Sequence, residues 1–367
     1  MIYNRDMIQS SKVKLIYDKD VVLKNKELIR SLGERFLIVC GKSSARLSGA
    51  LDDVLGVIDG KDYVIYDSIR ENPEVASVLE AGKLTDESTC VIGIGGGSPL
   101  DAAKVIASLI YNPAETEEEL YGQKWENRRL PLILIGTTAG TGSEVTKVSV
   151  LSKANGRKSS IHNDLFYADY ALCDPKYTQS MPEKTRISTA VDALTHCNES
   201  YFSNKANEES REYAFKGIEL LLKGIRSLEH MDEKAYDDLY QGSLYGGLAI
   251  DITGTVFAHN VGYYFTENHH LPHGFACALF QEDLFDFEKA NNREYTETFF
   301  DRIGMKQDEY VELINSLLPE NDIVMDEETL EEILPRWKEN GSVKNTLGHM
   351  TVEDVEKILR KKFMQAR

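Results

Sequence analysis

What this 367-residue chain lacks narrows its class before any motif is read. Its five cysteines (Cys40, Cys90, Cys173, Cys197 and Cys277) are odd in number, scattered, and contain no CxxC pair. That pattern excludes a disulfide framework and a zinc ribbon, and it makes most of them small buried hydrophobes in a reducing setting. Positive charge is scarce: 42 Lys and Arg stand against 60 Asp and Glu, a formal charge of −18. Such a surface repels nucleic acid and anionic membranes, and no basic stretch offsets it. No apolar run approaches the roughly 20 residues of a membrane span, and the opening residues show no charged-then-apolar leader. A cytoplasmic protein without nucleic-acid or membrane partners is expected. Repeats, low-complexity tracts and Gly/Ser linkers are missing too, while the chain is long for one core. Two directly packed domains are therefore expected.

What is present divides near residue 180. FLIVC (36–40), DYVIYD (62–67), CVIGIGGG (90–97), PLILIGTT (131–138) and YALCDP (170–175) are short apolar runs separated by helix-like stretches such as ARLSGALDDVLGVI and SPLDAAKVIASLIYN. Strand and helix in alternation predict a parallel sheet covered by helices. From about Met181 apolar residues recur at three-to-four spacing, as in MPEKTRISTAVDALTHCNESYF and EKAYDDLYQGSLYGGLAIDITG. That spacing predicts an all-helical second half. The expected domains are 1–180, α/β, and 181–367, all-helical, with a ligand cleft between them.

The glycine-rich segment GIGGGSPLDAAK (93–104) follows an apolar strand and opens a helix. Gly95, Gly96 and Gly97 let the backbone approach an anion closely, Ser98 offers a cap and a hydroxyl, and helix N-terminal amides favour a phosphate. The segment is neither the G-x-G-x-x-G fingerprint nor a Walker loop. After the fourth run, TTAGTGSEVT supplies the hydroxyls of Thr137, Thr138, Thr141 and Ser143 at a strand's C-terminal end, where ligands of such sheets bind. After FLIVC come Gly41, Lys42, Ser43 and Ser44, with no acidic residue to bond the ribose 2′-hydroxyl of NAD. Lys42 and the two serines suit the extra phosphate of NADP instead.

In the helical half, Asp192 and His196 are spaced by four, which places carboxylate and imidazole on one helix face. His259 and His273 lie far enough along to come from two further elements. One carboxylate and three imidazoles suit a divalent ion such as Fe2+ or Zn2+. His162, His230 and His349 read as structural, whereas His269 and His270 stand in an expected loop just before His273 and could face the substrate.

GIGGGSPLDAAK, TTAGTGSEVT, DALTHCNESY and FAHNVGYYFTENHHLPHG together resemble the iron-containing (group III) alcohol dehydrogenases, in order and over most of the chain. The resemblance implies an α/β, Rossmann-like N-terminal nucleotide domain and an all-α metal-binding C-terminal domain, an architecture shared with dehydroquinate synthase. It implies NAD(P) with Fe2+ (Zn2+ being a possible occupant), a homodimer, and hydride transfer between nicotinamide and a small alcohol or aldehyde. The family's ligands fall on Asp192, His196, His259 and His273, and its cofactor contacts on Gly96, Gly97, Ser98, Asp101, Thr137, Thr138 and Lys158. Two departures stand out. Tyr263 replaces a histidine found in many members, and Cys277 replaces the usual asparagine after the last ligand.

The proton relay is open, with His269, His270 and Tyr263 as candidates. Phe257, Tyr263, Tyr264, His269 and Cys277 are expected to border the pocket. Its segments are poor in Lys and Arg, so a neutral aldehyde is expected. A dehydroquinate synthase-like or glycerol dehydrogenase-like enzyme on a polyol or phosphorylated substrate is the alternative. A non-catalytic nucleotide-binding or filament-forming protein is a third.

Overall fold

The computed structural model describes residues 12–364. The stretch read for a leader, residues 1–11, lies outside the described residues. Among the described residues there are eight strands: β1 (Lys14–Tyr17), β2 (Arg35–Cys40), β3 (Asp62–Tyr66), β4 (Cys90–Gly95), β5 (Leu132–Gly136), β6 (Val148–Ser152), β7 (Lys158–His162) and β8 (Tyr170–Cys173). Six form one sheet in the order β1-β8-β5-β4-β2-β3. Every pairing in it is parallel.

The apolar runs explain that sheet, because its central strands are buried on both faces. Phe36, Ile38, Ile92, Ile94, Ile133 and Ile135 point to one helical layer. Leu37, Val39, Val91, Leu132 and Leu134 point to the other. Each such side chain contributes roughly 1.5–3 kcal/mol on full burial. The predicted helix ARLSGALDDVLGVI is interrupted: Gly49 takes a left-handed φ of 79° between helices Ser44–Leu47 and Ala50–Val57.

Two features went unread in the sequence. Strand β1 is a four-residue edge strand flanked by lysines, too short for a periodicity argument. Strands β6 and β7 form an antiparallel ribbon separate from the main sheet. Its signal was present in Asn155-Gly156, a pair that favours tight hairpin turns, with Gly156 at φ 79°. The helix Gly97–Leu109 buries Lys104 completely. Its ammonium donates to Ser143 Oγ at 2.7 Å, Thr146 Oγ1 at 3.2 Å and the Val148 carbonyl at 2.7 Å, and it pairs with Asp101 at 3.3 Å. Such partners are required for a buried charge. They tie the helix to the start of the ribbon.

Beyond residue 181 the chain is helical, as the spacing predicts. The long helices are Glu183–Tyr201, Glu208–Ile225 and Glu233–Thr253, followed by Phe257–His269 and the one-turn helix His273–Ala278. No helix among the described residues is long and apolar enough to cross a membrane.

Candidate active site

A cavity of about 1220 Å3 runs along the C-terminal edge of the sheet and under the helical half. It exceeds the roughly 300–1,000 Å3 typical of small-molecule pockets, as a site shared by a dinucleotide and a substrate must. Its wall holds Gly41, Lys42, Ser43 and Ser44 from the end of β2. Gly96, Gly97, Ser98 and Asp101 follow from the helix start, then Thr137, Thr138, Thr141 and Ser143 from the loop after β5, and Lys158 from β7. The cofactor-facing residues read from the sequence are thus brought together, apart from Gly95. Gly95 lies behind the wall, where a side chain would meet Pro99 at 2.6 Å.

The local chemistry differs in detail from the reading. Ser98 does not cap its helix: the cap position is Gly96, and Ser98 Oγ accepts the Asn72 backbone N–H at 3.2 Å. Gly97 is needed for a close approach, since a Cβ there would sit 2.7 Å from Thr141 Cγ2. Asp101 accepts hydrogen bonds from Ser143 Oγ at 2.6 Å and from Val150 N at 2.9 Å, so its carboxylate fastens the ribbon to the helix. Thr137 Oγ1 is buried with no partner, an unmet hydrogen-bonding group on the cavity wall.

At the far end, the four candidate ligands converge. Asp192 Oδ1 lies 4.0 Å from His196 Nε2, 3.4 Å from His259 Nε2 and 3.8 Å from His273 Nε2. Donors around a tetrahedral ion stand about 3.4 Å apart when each bond is about 2.1 Å, so this spacing fits a divalent metal. Asp192 Oδ1 and His259 Nε2 are also buried without a hydrogen-bond partner. Orphaned lone pairs facing one point, on side chains buried to 3% and 1% exposure, are what a cation would satisfy.

The second nitrogen of two imidazoles is held from behind. His196 Nδ1 donates to the Gly140 carbonyl at 3.3 Å, and His259 Nδ1 donates to Glu199 Oε1 at 2.5 Å. Both bonds leave Nε2 free to ligate. Glu199 also accepts the Val256 N–H at 2.7 Å, which fixes the start of the His259 helix. This residue was missed, although its place was legible: Asp192, His196 and Glu199 stand at i, i+4 and i+7 on one helix. Gly274 completes the convergence. A Cβ there would lie 1.9 Å from the Ser188 carbonyl and 2.9 Å from Asp192 Cβ, so only glycine lets the His273 turn abut the Asp192 helix.

Without a cation the cluster shares protons unevenly. Burial would raise the Asp192 carboxyl, but the positive charges of His196, His273 and His259 around it hold it well below the usual range. Burial pushes His196 down to about 4. Burial and the nearby Lys158 ammonium push His273 down as well. His259 moves the other way: burial opposes its charge, but Cys277 and Glu199 outweigh it.

Several expectations are corrected. His269 is the last residue of helix Phe257–His269 rather than part of a loop, and its ring stacks on Phe265 with centroids 5.5 Å apart. His270 is exposed in a left-handed helix cap at φ 54°. Neither lines the cavity, and neither do Phe257, Tyr264 or Cys277. Of the three relay candidates Tyr263 alone is on the wall. Its ring stacks on His273 with centroids 5.3 Å apart, and Lys158 Nζ lies 5.3 Å from the same ring centre. The cavity is also more basic than expected, with Lys42, Arg70, Lys158, Lys184 and Lys205 against Glu71, Asp101 and Asp192. Arg70 came unseen because it lies on the loop after β3, which sequence order separates from Lys42. His162, read as structural, lies on the wall too, as do Asn340, Ser342 and Asn345 from the C-terminal region.

A parallel nucleotide-type sheet facing a helical half with one carboxylate and three imidazoles defines a metal-binding oxidoreductase. Comparison with known proteins agrees. Residues 12–175 match the family described as iron-containing alcohol dehydrogenase, and residues 186–363 match the C-terminal Fe-containing alcohol dehydrogenase family. The chain is 31% identical over 285 residues to long-chain-alcohol dehydrogenase 1 of Geobacillus thermodenitrificans, covering 75% of this chain and 72% of that one. It is 36% identical over 212 residues to 4-hydroxybutyrate dehydrogenase of Clostridium kluyveri, covering 55% and 56%. An iron-containing alcohol dehydrogenase structure from Thermotoga maritima superposes with a TM-score of 0.88 at 31% identity, over 96% of this chain and 98% of that one. The chain belongs to the iron-containing alcohol dehydrogenase family and is an alcohol dehydrogenase of that class.

Proposed function

We propose that this enzyme moves a hydride between NADP(H) and a small primary alcohol or aldehyde, with a divalent metal (Fe2+, or Zn2+ as the alternative occupant) held by Asp192, His196, His259 and His273. The observation that carries the reading is the ring of three Nε2 atoms within 4.0 Å of Asp192 Oδ1, placed at the end of a cavity whose other end suits a dinucleotide. Residues 1–180 and 181–367 serve as the nucleotide and metal domains.

Each part of the cavity has a role in this scheme. The helix start at Gly96–Ser98 and the hydroxyls of Thr137, Thr138 and Thr141 hold the pyrophosphate. Lys42 and Arg70, neither paired with a carboxylate among the described residues, flank Ser43 and Ser44, and this group favours NADP over NAD. When bound, the metal supplies Lewis acidity that lowers the pKa of an alcohol hydroxyl, and nicotinamide supplies the hydride acceptor. Tyr263, stacked on His273, orients that imidazole and closes one side of the reaction space. Burial raises its phenol well above the ordinary value, so it stays protonated at neutral pH and is available to donate a hydrogen bond.

A second reading concerns the substrate. Lys158 is partly buried on the cavity wall, its pKa lowered by loss of solvent, and no ion pair of its side chain exists among the described residues. An aldehyde or alcohol with an anionic far end would supply the partner, which accords with the likeness to a 4-hydroxybutyrate dehydrogenase. A cytoplasmic setting suits five unpaired buried cysteines. A homodimer is proposed through edge strand β1, which pairs on one side with β8.

The test is anaerobic turnover. Protein loaded with Fe2+ is given NADPH and a panel of short aldehydes, neutral and carboxylated, and cofactor oxidation is followed. Oxidation with at least one aldehyde, and its loss in His259→Ala with nucleotide binding retained, is expected. No turnover of any aldehyde, ketone or alcohol with either cofactor would leave the non-catalytic reading standing. Turnover of a phosphorylated acid without net cofactor consumption would favour a synthase.

A further inference from the structure

We infer that Cys277 is an additional protein donor to the cation, which shifts the preference of this centre from iron toward zinc or cobalt. The inference rests on the four-ligand reading and extends it. The one-turn helix His273–Ala278 places residues four apart on one face, so the side chain of Cys277 returns to the side of His273. Its Sγ lies 3.5 Å from His273 Nδ1 and 3.7 Å from His273 Nε2. One donor atom each from Asp192, His259, His273 and Cys277 lies within 4.8 Å of the other three.

Proximity of one cysteine would mean little by itself, but an independent feature points to the same place. Asp192 Oδ1 and His259 Nε2 are buried atoms without partners, and they face the space that Sγ also borders. Cys277 is buried and is not among the residues lining the cavity, so it borders the cluster from inside the protein. His196 stands somewhat apart. Its Nε2 is the most distant of the three from Asp192 Oδ1, at 4.0 Å, and its ring stacks flat on His259 with centroids 4.6 Å apart.

A thiolate in the donor set has two consequences. Soft sulfur favours Zn2+ and Co2+ over Fe2+ relative to an all-nitrogen-and-oxygen set. Its charge also makes the centre a weaker Lewis acid than one built from a single carboxylate and three neutral imidazoles. On loading, a sulfur–metal bond forms while the S–H bond breaks and its proton passes to solvent; no electron is transferred.

The experiment is optical. Full-length protein is stripped with a chelator and reloaded with Co2+, alongside Cys277→Ala and Cys277→Asn. The wild type should show both visible ligand-field bands and a sulfur-to-cobalt charge-transfer band in the near ultraviolet. The two variants should keep the ligand-field bands and lose the charge-transfer band. In a competition of Zn2+ against Fe2+ under anaerobic conditions, read by elemental analysis, both variants should lose roughly tenfold in preference for zinc. Ligand-field bands without a charge-transfer band in the wild type overturn the role of Cys277 while leaving the four-ligand centre intact. No bound cobalt in any of the three proteins overturns both.

Discussion

Glu199 offers the sharpest check on how this centre is built. Its Oε1 accepts a hydrogen bond from His259 Nδ1 at 2.5 Å, and its Oε2 accepts one from the Val256 N–H at 2.7 Å, both fully out of water. Glu199→Gln keeps the volume and one acceptor but removes the charge that orients the ring and makes Nε2 more basic. Losing such an outer partner typically weakens metal affinity about 10- to 100-fold, which is roughly 1.4–2.7 kcal/mol. The measurement is a zinc titration of stripped protein against a competing chelator, with NADPH binding followed on the same samples. A rise in the zinc Kd within that range, with NADPH affinity held, is expected. The variant's thermal midpoint should move less than its metal affinity, because the side chain still fills its space. Zinc binding identical to the wild type would refute the role assigned to Glu199. An equal loss of zinc and NADPH affinity would show that the substitution had merely loosened the fold.

Other outcomes follow from the same geometry. Gly274→Ala forces a methyl against the Ser188 carbonyl and should cost about 1–3 kcal/mol of stability together with most bound metal; calorimetry and elemental analysis would show it, and a metal-replete variant of normal stability would contradict the packing argument. Replacing Lys42 and Arg70 together with Met should weaken NADPH at least tenfold more than NADH, each screened charge–phosphate contact contributing about 1 kcal/mol; equal losses in equilibrium titrations would place the 2′-phosphate elsewhere. In stripped protein, His196 titrates near 4 when folded, held there by burial, and near 6.5 when unfolded. The unfolded state therefore holds more protons between those values, and stability falls as pH drops through that window. His196→Asn should flatten part of that slope in urea unfolding at pH 7 and 5, and an unaltered slope would count against a neutral buried imidazole.

The legible part of this molecule was whatever depends on short-range pattern. FLIVC, CVIGIG and LILIG announce doubly buried parallel strands because every position in them faces a helical layer. Asp192 and His196 announce a shared face because helix geometry fixes four-residue neighbours. His259 and His273 were legible as a pair through family likeness, but their meeting with Asp192 depends on how closely helices pack, and that hangs on the missing side chain of Gly274. His269 and His270 misled because adjacency in sequence to a ligand says nothing about which way a helix end points. The preceding turn carries His269 into the aromatic packing around Phe265. Lys42 and Arg70 come from different strand ends, and Lys158 and His162 from a ribbon whose strands are too polar to register as buried. Their gathering on one wall is a tertiary fact.

The β6–β7 ribbon is fastened at both flanks. Val150 N donates to Asp101 on the glycine-turn helix, and Lys158 N donates to Glu267 at 2.8 Å on the His259 helix, with Glu267 itself paired to Arg336. A strap buckled at both ends sets the gap between the two halves much as a spacer sets the jaws of a vice. Length changes at its exposed turn, Asn155-Gly156, leave that gap untouched, so this turn is where a fluorophore or an inserted peptide should be tolerated. The same insertion beside Val150 or Lys158 would shift the jaws themselves.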